Sequence, residues 1–160
     1  MSARAGTRGR RRHSRVLLAF AALVAVNCGG NATGPDPTPN AVPFVGSWRA
    51  TSLVVTSKAN PSVHPDLVQE GAQFDLDVQP SGQYTAILTY SGQASTEIGT
   101  ASVSGNIVTL VRTFPAPTRT TTANYTLQGD LLTLEGDTEF DFNLDGTPED
   151  ARSRTVLIRR

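Results

Sequence analysis

Short runs in which apolar and polar residues alternate, separated by glycine turns, dominate the chain from Phe44 to Arg160. Phe74, Leu76 and Val78, for example, alternate with acidic residues, which is the period-two pattern of a half-buried strand. Closely spaced turns favour a small antiparallel up-and-down β-barrel of about eight strands over a Greek-key sandwich, because closure removes exposed sheet edges. The expected fold is therefore all-β, with strand candidates at 44–49, 74–78, 84–90, 93–102, 107–114, 118–128, 131–135 and 151–160.

One segment departs from the strand pattern. Val63 to Gln69 is compatible with one or two helical turns, because Pro65 stands near its start and Gly71 lies just past its end. The predicted barrel therefore has room for one short helix between its first two strands.

Basic residues are concentrated at the start of the chain. Six of the fourteen precede Cys28, and no acidic residue precedes Asp36. From Cys28 onward, eight basic residues face fourteen acidic ones, a net charge of −6. So acidic a domain has no general attraction to phosphate backbones, and we expect no nucleic-acid partner.

Cysteine and histidine are too scarce for several kinds of site. Cys28 is the only cysteine, and His64 is the only histidine after the basic leader. An intramolecular disulfide is impossible, and a zinc site built from several thiolates is excluded. A Ser-His-Asp or Cys-His arrangement would depend on His64 alone. With no recognisable nucleophile–base pair or phosphate-binding glycine loop, we predict no enzymatic activity and no cofactor.

The first 27 residues have the layout of a secretory signal peptide. A basic region ends at Arg15, and the apolar run Val16 to Val26 is too short for a helix that spans a bilayer. Cys28 follows directly, and this arrangement resembles the signal of bacterial lipoproteins, in which cleavage leaves a lipid-modified cysteine at the new N-terminus. The resemblance implies lipid attachment at Cys28 and a membrane-anchored place in the bacterial cell envelope. The alternative is an ordinary secretory signal with an incidental cysteine nearby.

Residues 28–43 predict a flexible linker between this anchor and the folded domain. Gly29 to Pro43 is rich in Gly, Pro, Asn and Thr and has no hydrophobic period. The predicted organisation is a signal peptide at 1–27, a lipid-anchored linker at 28–43 and a barrel domain at 44–160.

Gly46-Ser47-Trp48 lies on the first predicted strand and contains the only tryptophan. Glycine permits close approach of the backbone, and a guanidinium can lie over an indole ring as a cation–π contact. With hairpin-linked strands and an arginine-bearing last strand, the motif resembles the lipocalin-like β-barrels. The resemblance implies that Gly46 and Trp48 plug one end of the barrel under a basic side chain, Arg154 or alternatively Arg159. We expect Trp48 to be a core residue without ligand contact.

The resemblance also implies a function. An eight-stranded barrel can hold one small ligand or fill with its own side chains. The lipocalin-like interpretation is a carrier of a small apolar or amphipathic ligand. The alternative is a non-enzymatic envelope structural protein, or a protein-interaction or inhibitor module, with a filled barrel that acts through its loops. We expect a monomer in either case.

Oxygen-bearing side chains alternate at Asp141, Asn143 and Asp145 and are followed by Gly146. This pattern is typical of a calcium loop, because Ca²⁺ prefers carboxylate and amide oxygens. Arg152 stands where such a loop needs its bidentate glutamate. We therefore favour a hairpin turn at Asp145-Gly146 and predict no metal site.

The remaining charged residues of interest lie on or between strands. Arg112 and Arg119 flank a stretch with two prolines and would line a barrel mouth, where they suit an anionic lipid head group. The alternative is that both are solvated loop arginines. The strand carboxylates alternate with apolar residues, which predicts a place on the solvent face for Asp75, Asp77, Glu97 and Glu135.

Overall fold

The computed structural model describes residues 42–143 and 145–160, which form one closed barrel of eight antiparallel strands. Each strand pairs with the next in the chain, and the last pairs with the first. This confirms the predicted up-and-down barrel. The predicted signal peptide, Cys28 and most of the predicted linker lie outside the described residues. The strands are β1 (Gly46–Ser57), β2 (Gln73–Val78), β3 (Gln83–Tyr90), β4 (Gln93–Ser104), β5 (Ile107–Phe114), β6 (Arg119–Gln128), β7 (Leu131–Phe140) and β8 (Glu149–Arg159).

The two ends of the barrel differ in their connections. At the end where β1 begins and β8 ends, which we call the closed end, short turns at 79–82, 105–106 and 129–130 join the strands. At the opposite end, which we call the open end, the longer segments 58–72 and 141–148 join β1 to β2 and β7 to β8, and shorter connections at 91–92 and 115–118 join the other two strand pairs. Short turns therefore hold strands together at one end, while longer loops are available to shape the other.

The largest buried side chains gather at the closed end. They come from most strands of the barrel and from the residues just before β1, and burying each contributes about 1.5–3 kcal/mol. Val42, which the sequence assigns to the linker, packs in the same cluster. The fully buried members are Phe44, Trp48, Val78, Val108, Leu132 and Leu157.

Trp48 is the centre of this cluster and is 0% exposed. Its indole Nε1–H donates a hydrogen bond of 2.8 Å to the Phe44 carbonyl. The guanidinium carbon of Arg159 lies 4.2 Å from the ring centroid, in cation–π geometry. Arg159 also donates from Nε to Asp130 at 3.0 Å and from Nη1 to the Val45 carbonyl at 2.7 Å. The indole is thus sealed between the core and a hydrogen-bonded arginine.

The prediction that Arg154 packs over the indole is wrong, and the alternative, Arg159, takes that place. On β8 the buried residues Ala151, Thr155 and Leu157 face inward, and Arg159 continues that alternation at the closed end. Arg154 has the opposite parity and therefore points outward. Its Nε donates to Glu135 at 2.8 Å on the barrel surface.

The position of Arg159 over Trp48 also requires a glycine at position 46. Gly46 has a φ of +128°, and a Cβ added there would lie 2.6 Å from Nη1 of Arg159. Any other residue would be strained in this conformation and would displace the guanidinium. Gly46, Trp48 and Arg159 therefore form one closed-end plug.

Segment 58–72 does not form the helix that the sequence allows. It runs beside β1 instead: Val55 N–H donates to the Pro65 carbonyl at 3.0 Å, and Leu67 N–H donates to the Leu53 carbonyl at 2.9 Å. The chain then turns once over residues 67–71. The described residues contain no helix, so none there is long and apolar enough to cross a membrane.

Asp66 fixes this segment to β1. Its carboxylate accepts hydrogen bonds from the Leu53 N–H, the Ser52 hydroxyl and the Val68 N–H, at 3.0, 2.7 and 3.1 Å. Burial acts to raise the pKa of Asp66, but these hydrogen bonds together lower it. The segment thereby buries Leu67 in a second apolar cluster, which covers part of the open end and contains Leu53, Val55, Ala72, Leu88, Phe140 and Ala151.

The acidic segment 141–148 joins β7 to β8, and the carboxylates of Asp141 and Glu149 accept hydrogen bonds from it. The Asp141 carboxylate accepts from the N–H groups of Asp145 and Gly146 at 3.1 and 2.8 Å. The Glu149 carboxylate accepts from the Phe142 N–H and the Asn143 amide at 2.9 and 2.8 Å. Gly146 has a φ of +92°, as a turn at this position requires. The structure thus has a turn at Asp145-Gly146, the interpretation that the sequence favours for this segment.

Candidate ligand-binding cavity

An internal cavity of about 490 Å³ lies between the closed-end cluster and the open end. Its floor and lower walls are apolar and come from Phe44 and from strands β2 to β5. Phe44 lines the cavity, whereas Trp48 does not. The apolar lining includes Phe44, Leu76, Val78, Ala86, Ala101 and Val108.

Small residues on the inward face of the barrel leave room for this cavity. Ala86, Ala101 and Ala123 line it where a larger residue would fill it. Gly99 permits close packing of β4 on β5, since a Cβ there would lie 2.8 Å from the Tyr84 ring and closer still to the Val111 carbonyl. Small inward residues thus leave part of the barrel interior unfilled, which is one of the two outcomes open to an eight-stranded barrel.

The cavity reaches the surface at the open end. Its rim, which we call the mouth, is formed by the start of β4 (residues 93–97), Pro115 and Arg119. Below the mouth, the β6–β7 ladder covers only residues 123–128 and 131–136. Residues 119–122 pair with β5, and residues 137–140 pair with β8. Thr122 and Asp137, which flank the point where β6 and β7 separate, both line the cavity.

Arg112 and Glu97 place an ion pair in the cavity wall. Arg112 Nη1 lies 3.1 Å from Glu97 Oε1, and Nη2 donates to the Pro117 carbonyl at 3.2 Å. Arg112 is only 9% exposed. Its Nε–H has no hydrogen-bond partner among the described residues. A buried donor without an acceptor costs about 1–3 kcal/mol, so this atom needs an explanation.

The prediction that Glu97 lies on the solvent face is wrong. Gly99 and Ala101 are the buried, inward-facing residues of β4, and Glu97 shares their parity. Ile98 faces outward and is 43% exposed, so the polarity of β4 is reversed at this point. The other three strand carboxylates lie on the outer face as predicted, where Asp75 pairs with Arg49 at 2.8 Å.

Tyr84 lies on the same wall as this ion pair. Burial raises the pKa of its phenol to about 12; the Glu97 carboxylate adds to the rise, and Arg112 opposes it. The phenol therefore stays protonated at physiological pH. Tyr84 contributes an uncharged polar group beside the paired charges.

Arg112 and Arg119, for which the sequence leaves a barrel mouth and solvated loops as alternatives, both line the cavity. They lie directly opposite each other on β5 and β6. Arg112 is buried, whereas Arg119 is partly exposed at the mouth. The two arginines therefore differ in burial, and the unbonded Nε–H belongs to the buried one, Arg112.

The other candidate residues for chemistry, among them Asp141 and Asp145, do not line the cavity. His64 lies exposed on segment 58–72, with Nδ1 3.2 Å from the Pro61 carbonyl, and does not line the cavity. Across residues 42–143 and 145–160, no group of three or more His, Cys, Asp or Glu side chains is placed to hold a metal ion. The arrangement can enclose an apolar body and donate hydrogen bonds to a polar end.

Comparisons with known proteins add no family to this description: no family model, curated protein or solved structure matches the chain.

Proposed function

We propose that this chain is a lipid-anchored, lipocalin-like protein of the bacterial cell envelope, and that it binds a small apolar or amphipathic ligand inside its barrel. The observation that carries the proposal is the cavity of about 490 Å³ with an apolar floor and a mouth at the open end. Small-molecule sites typically enclose about 300–1,000 Å³ and are mostly apolar with a few polar groups. The volume and lining of this cavity match both criteria.

The resemblance to lipocalin-like barrels gains support from the closed-end plug. Trp48 is buried under Arg159, next to Gly46, as the resemblance implies for such a first strand. This contact bears on the architecture. It does not identify a ligand, because Trp48 does not line the cavity.

The alternative function, an interaction or inhibitor module, assumed a barrel filled by its own side chains. The cavity does not support that assumption. A loop-based function would also leave the ion pair of Arg112 and Glu97 inside the barrel without a role.

Native mass spectrometry of the protein purified from its own membrane tests the carrier function. We expect a co-purifying mass of lipid size that is lost on delipidation. A homologous series of alkyl alcohols then measures the cavity, because each buried methylene contributes about 0.8 kcal/mol, or about a fourfold gain in affinity. Affinity should rise with chain length and level off when the cavity is full. No bound mass, together with no response to any alcohol, would refute the proposal.

The anchor needs a separate test, since Cys28 lies outside the described residues. Cells supplied with radioactive palmitate should label the wild-type chain but not a Cys28→Ser variant. The wild-type protein should remain with the membrane fraction, and the variant should be released or left unprocessed. A soluble, unlabelled wild-type product cleaved elsewhere would show that the leader is an ordinary secretory signal.

A further inference from the structure

Two opposite walls of the cavity differ in chemistry. In a closed barrel of eight strands, strands four apart in the order lie opposite each other, so β2 and β3 face β6 and β7. The lining from β2 and the middle of β3, which we call the apolar wall, consists of Phe74, Leu76, Val78, Ala86 and Leu88. The lining from β6 to β8, which we call the hydroxyl wall, has inward-facing hydroxyls on Thr121, Ser153 and Thr155. Among the described residues of this second wall, Leu134 is the one large apolar side chain in the lining.

The hydroxyl wall contains a recess. Ala123, Gly136 and Ser153 lie side by side on three adjacent strands, because Gly136 pairs with Ala123 on one side and with Ser153 on the other. None of these residues has a side chain large enough to fill the space in front of it. Thr121 lies two residues from this row towards the open end, and Thr155 lies two residues from it towards the closed end. The recess is therefore bordered by hydroxyls at both ends.

The Thr155 hydroxyl is buried in the protein but can be reached from the cavity. Thr155 is 7% exposed and lines the cavity. Its hydroxyl makes no hydrogen bond to any of residues 42–143 or 145–160. Among those residues, Arg112 Nε is the one buried side-chain atom that is both unbonded and sealed from solvent. The unbonded Thr155 oxygen is therefore not sealed, and the space that it faces is the cavity. Ser153 next to it makes only a long hydrogen bond, 3.4 Å, to the Gly136 carbonyl.

We propose that the ligand carries oxygens along one side of its body, as a hydroxylated ring compound does, and that this side lies on Ser153 and Thr155 of the hydroxyl wall. Its other side is apolar and packs on the apolar wall. This inference rests on the proposed function and names the chemical class of the ligand, which is a facially amphipathic molecule and not one with a polar head and an apolar tail.

The difference between the walls sets the orientation of such a ligand. An oxygen that faces Thr155 replaces the hydrogen bonds that it made in water and gives the threonine hydroxyl a partner. An oxygen that faces the apolar wall loses its hydrogen bonds to water and gains none in exchange. The two orientations therefore differ in free energy at every oxygen, and a ligand with its oxygens on one side has a single favourable orientation.

A competition experiment on the full chain tests this inference. The uncharged fluorescent probe N-phenylnaphthylamine is bound first and then displaced by chenodeoxycholate or ursodeoxycholate, each below its micelle-forming concentration. These two steroids differ in one hydroxyl, which lies on the same face as the other ring hydroxyl in chenodeoxycholate and on the opposite face in ursodeoxycholate. We expect chenodeoxycholate to bind about tenfold more tightly, because the inverted hydroxyl loses a partner and is buried against the apolar wall.

Variants assign the preference to the hydroxyl wall. Thr155→Val keeps the shape of the side chain and removes its hydroxyl, and the double variant Thr155→Val with Ser153→Ala removes both. The tenfold ratio between the two steroids should fall in the single variant and reach about twofold or less in the double variant. Because the ratio compares two epimers on the same protein, a general loss of affinity does not change it. Thr133→Val makes the same exchange on the outer face of β7 and should keep the tenfold ratio.

The outcomes separate this inference from the proposed function. If the probe binds and the two steroids displace it equally, or neither displaces it, the facial assignment is overturned while the carrier function stands. Persistence of the tenfold ratio in the double variant would overturn it as well. If the probe and both steroids fail to bind, the carrier function itself is refuted.

Discussion

An arginine lies at each end of this barrel, and the two are used in different ways. At the closed end, Arg159 stacks on Trp48 and hydrogen-bonds to Asp130 and to the Val45 carbonyl. Towards the open end, Arg112 is bound through both terminal nitrogens, but its Nε–H has no acceptor among the described residues. Every side-chain nitrogen of the closed-end plug that the structure shows bonded is thus satisfied by the fold, whereas the wall near the open end contains one buried donor without an acceptor.

This difference separates stability from binding. Trp48 and its neighbours pack on one another, so changes there should alter the free energy of unfolding. Arg112, Glu97 and Tyr84 line the cavity, so changes there should alter ligand affinity as well as the free energy of unfolding. The predictions below test the closed end and the cavity wall separately, so that their effects can be compared.

Trp48→Ala should have the largest effect. Removing a fully buried indole leaves a void and should lower the free energy of unfolding by about 3–5 kcal/mol, measured by urea denaturation with far-ultraviolet circular dichroism. Trp48→Phe should cost less, because it keeps an aromatic ring and loses mainly the hydrogen bond to Phe44. A Trp48→Ala protein as stable as the wild type would contradict a structural role for the closed end.

Arg112→Leu should destabilise by about 2–3 kcal/mol, because it leaves the Glu97 carboxylate unpaired in the cavity wall. The loss is smaller than for a fully buried pair, since the Glu97 side chain keeps 23% of its surface exposed. The double variant Arg112→Leu with Glu97→Leu should recover to within about 1 kcal/mol of the wild type. If the double variant were as unstable as the single one, the pair would serve the fold and not the ligand.

Tyr84 predicts a loss of stability at alkaline pH. Its pKa is raised to about 12 in the folded protein, so its contribution is fully present below the unfolded-state pKa near 10 and is lost as pH rises towards 12. The loss should reach about 2–3 kcal/mol, from urea denaturation at pH 9 and pH 12. Tyr84→Phe should reduce the loss by that amount. An equal pH dependence in both proteins would show that the phenol ionises normally in the fold.

Arg159→Met should have the smallest of these effects, about 1–2 kcal/mol, from the lost cation–π contact and hydrogen bonds. Arg154→Met is the matched control on the same strand. It should change stability by less than about 0.5 kcal/mol, because its ion pair with Glu135 on β7 is solvent-exposed. Equal losses in the two variants would remove the distinction between inward and outward arginines.

The barrel itself was predictable from the sequence because alternation and glycine turns are local signals. Phe74, Leu76 and Val78 give their strand without reference to any other strand, and β5 was predicted with the bounds that it has. The short helix was not realised, since Asp66 and Leu67 find hydrogen-bond partners on β1. Those partners are distant in sequence, and a local pattern does not report them.

The site was less predictable because inward and outward faces are ambiguous on polar strands. On β8, Val156 and Ile158 are apolar yet lie on the outer face, so hydrophobicity did not distinguish Arg154 from Arg159. On β4, the inward Glu97 sits beside the outward Ile98, and the informative residues were the small ones, Gly99 and Ala101. Small residues at every second position were the signal that could have placed Glu97 inside the barrel.

Paired tryptophan substitutions on β6 test the central claim most directly. Thr121 lines the cavity and Thr120 faces outward, so Thr121→Trp fills the space that a ligand would occupy while Thr120→Trp adds the same side chain to the surface. Titration with N-phenylnaphthylamine should show at least a tenfold loss of affinity in Thr121→Trp and wild-type affinity in Thr120→Trp, since a filled cavity excludes the probe. Equal affinity in both variants, with both folded, would show that the barrel interior is not the binding site.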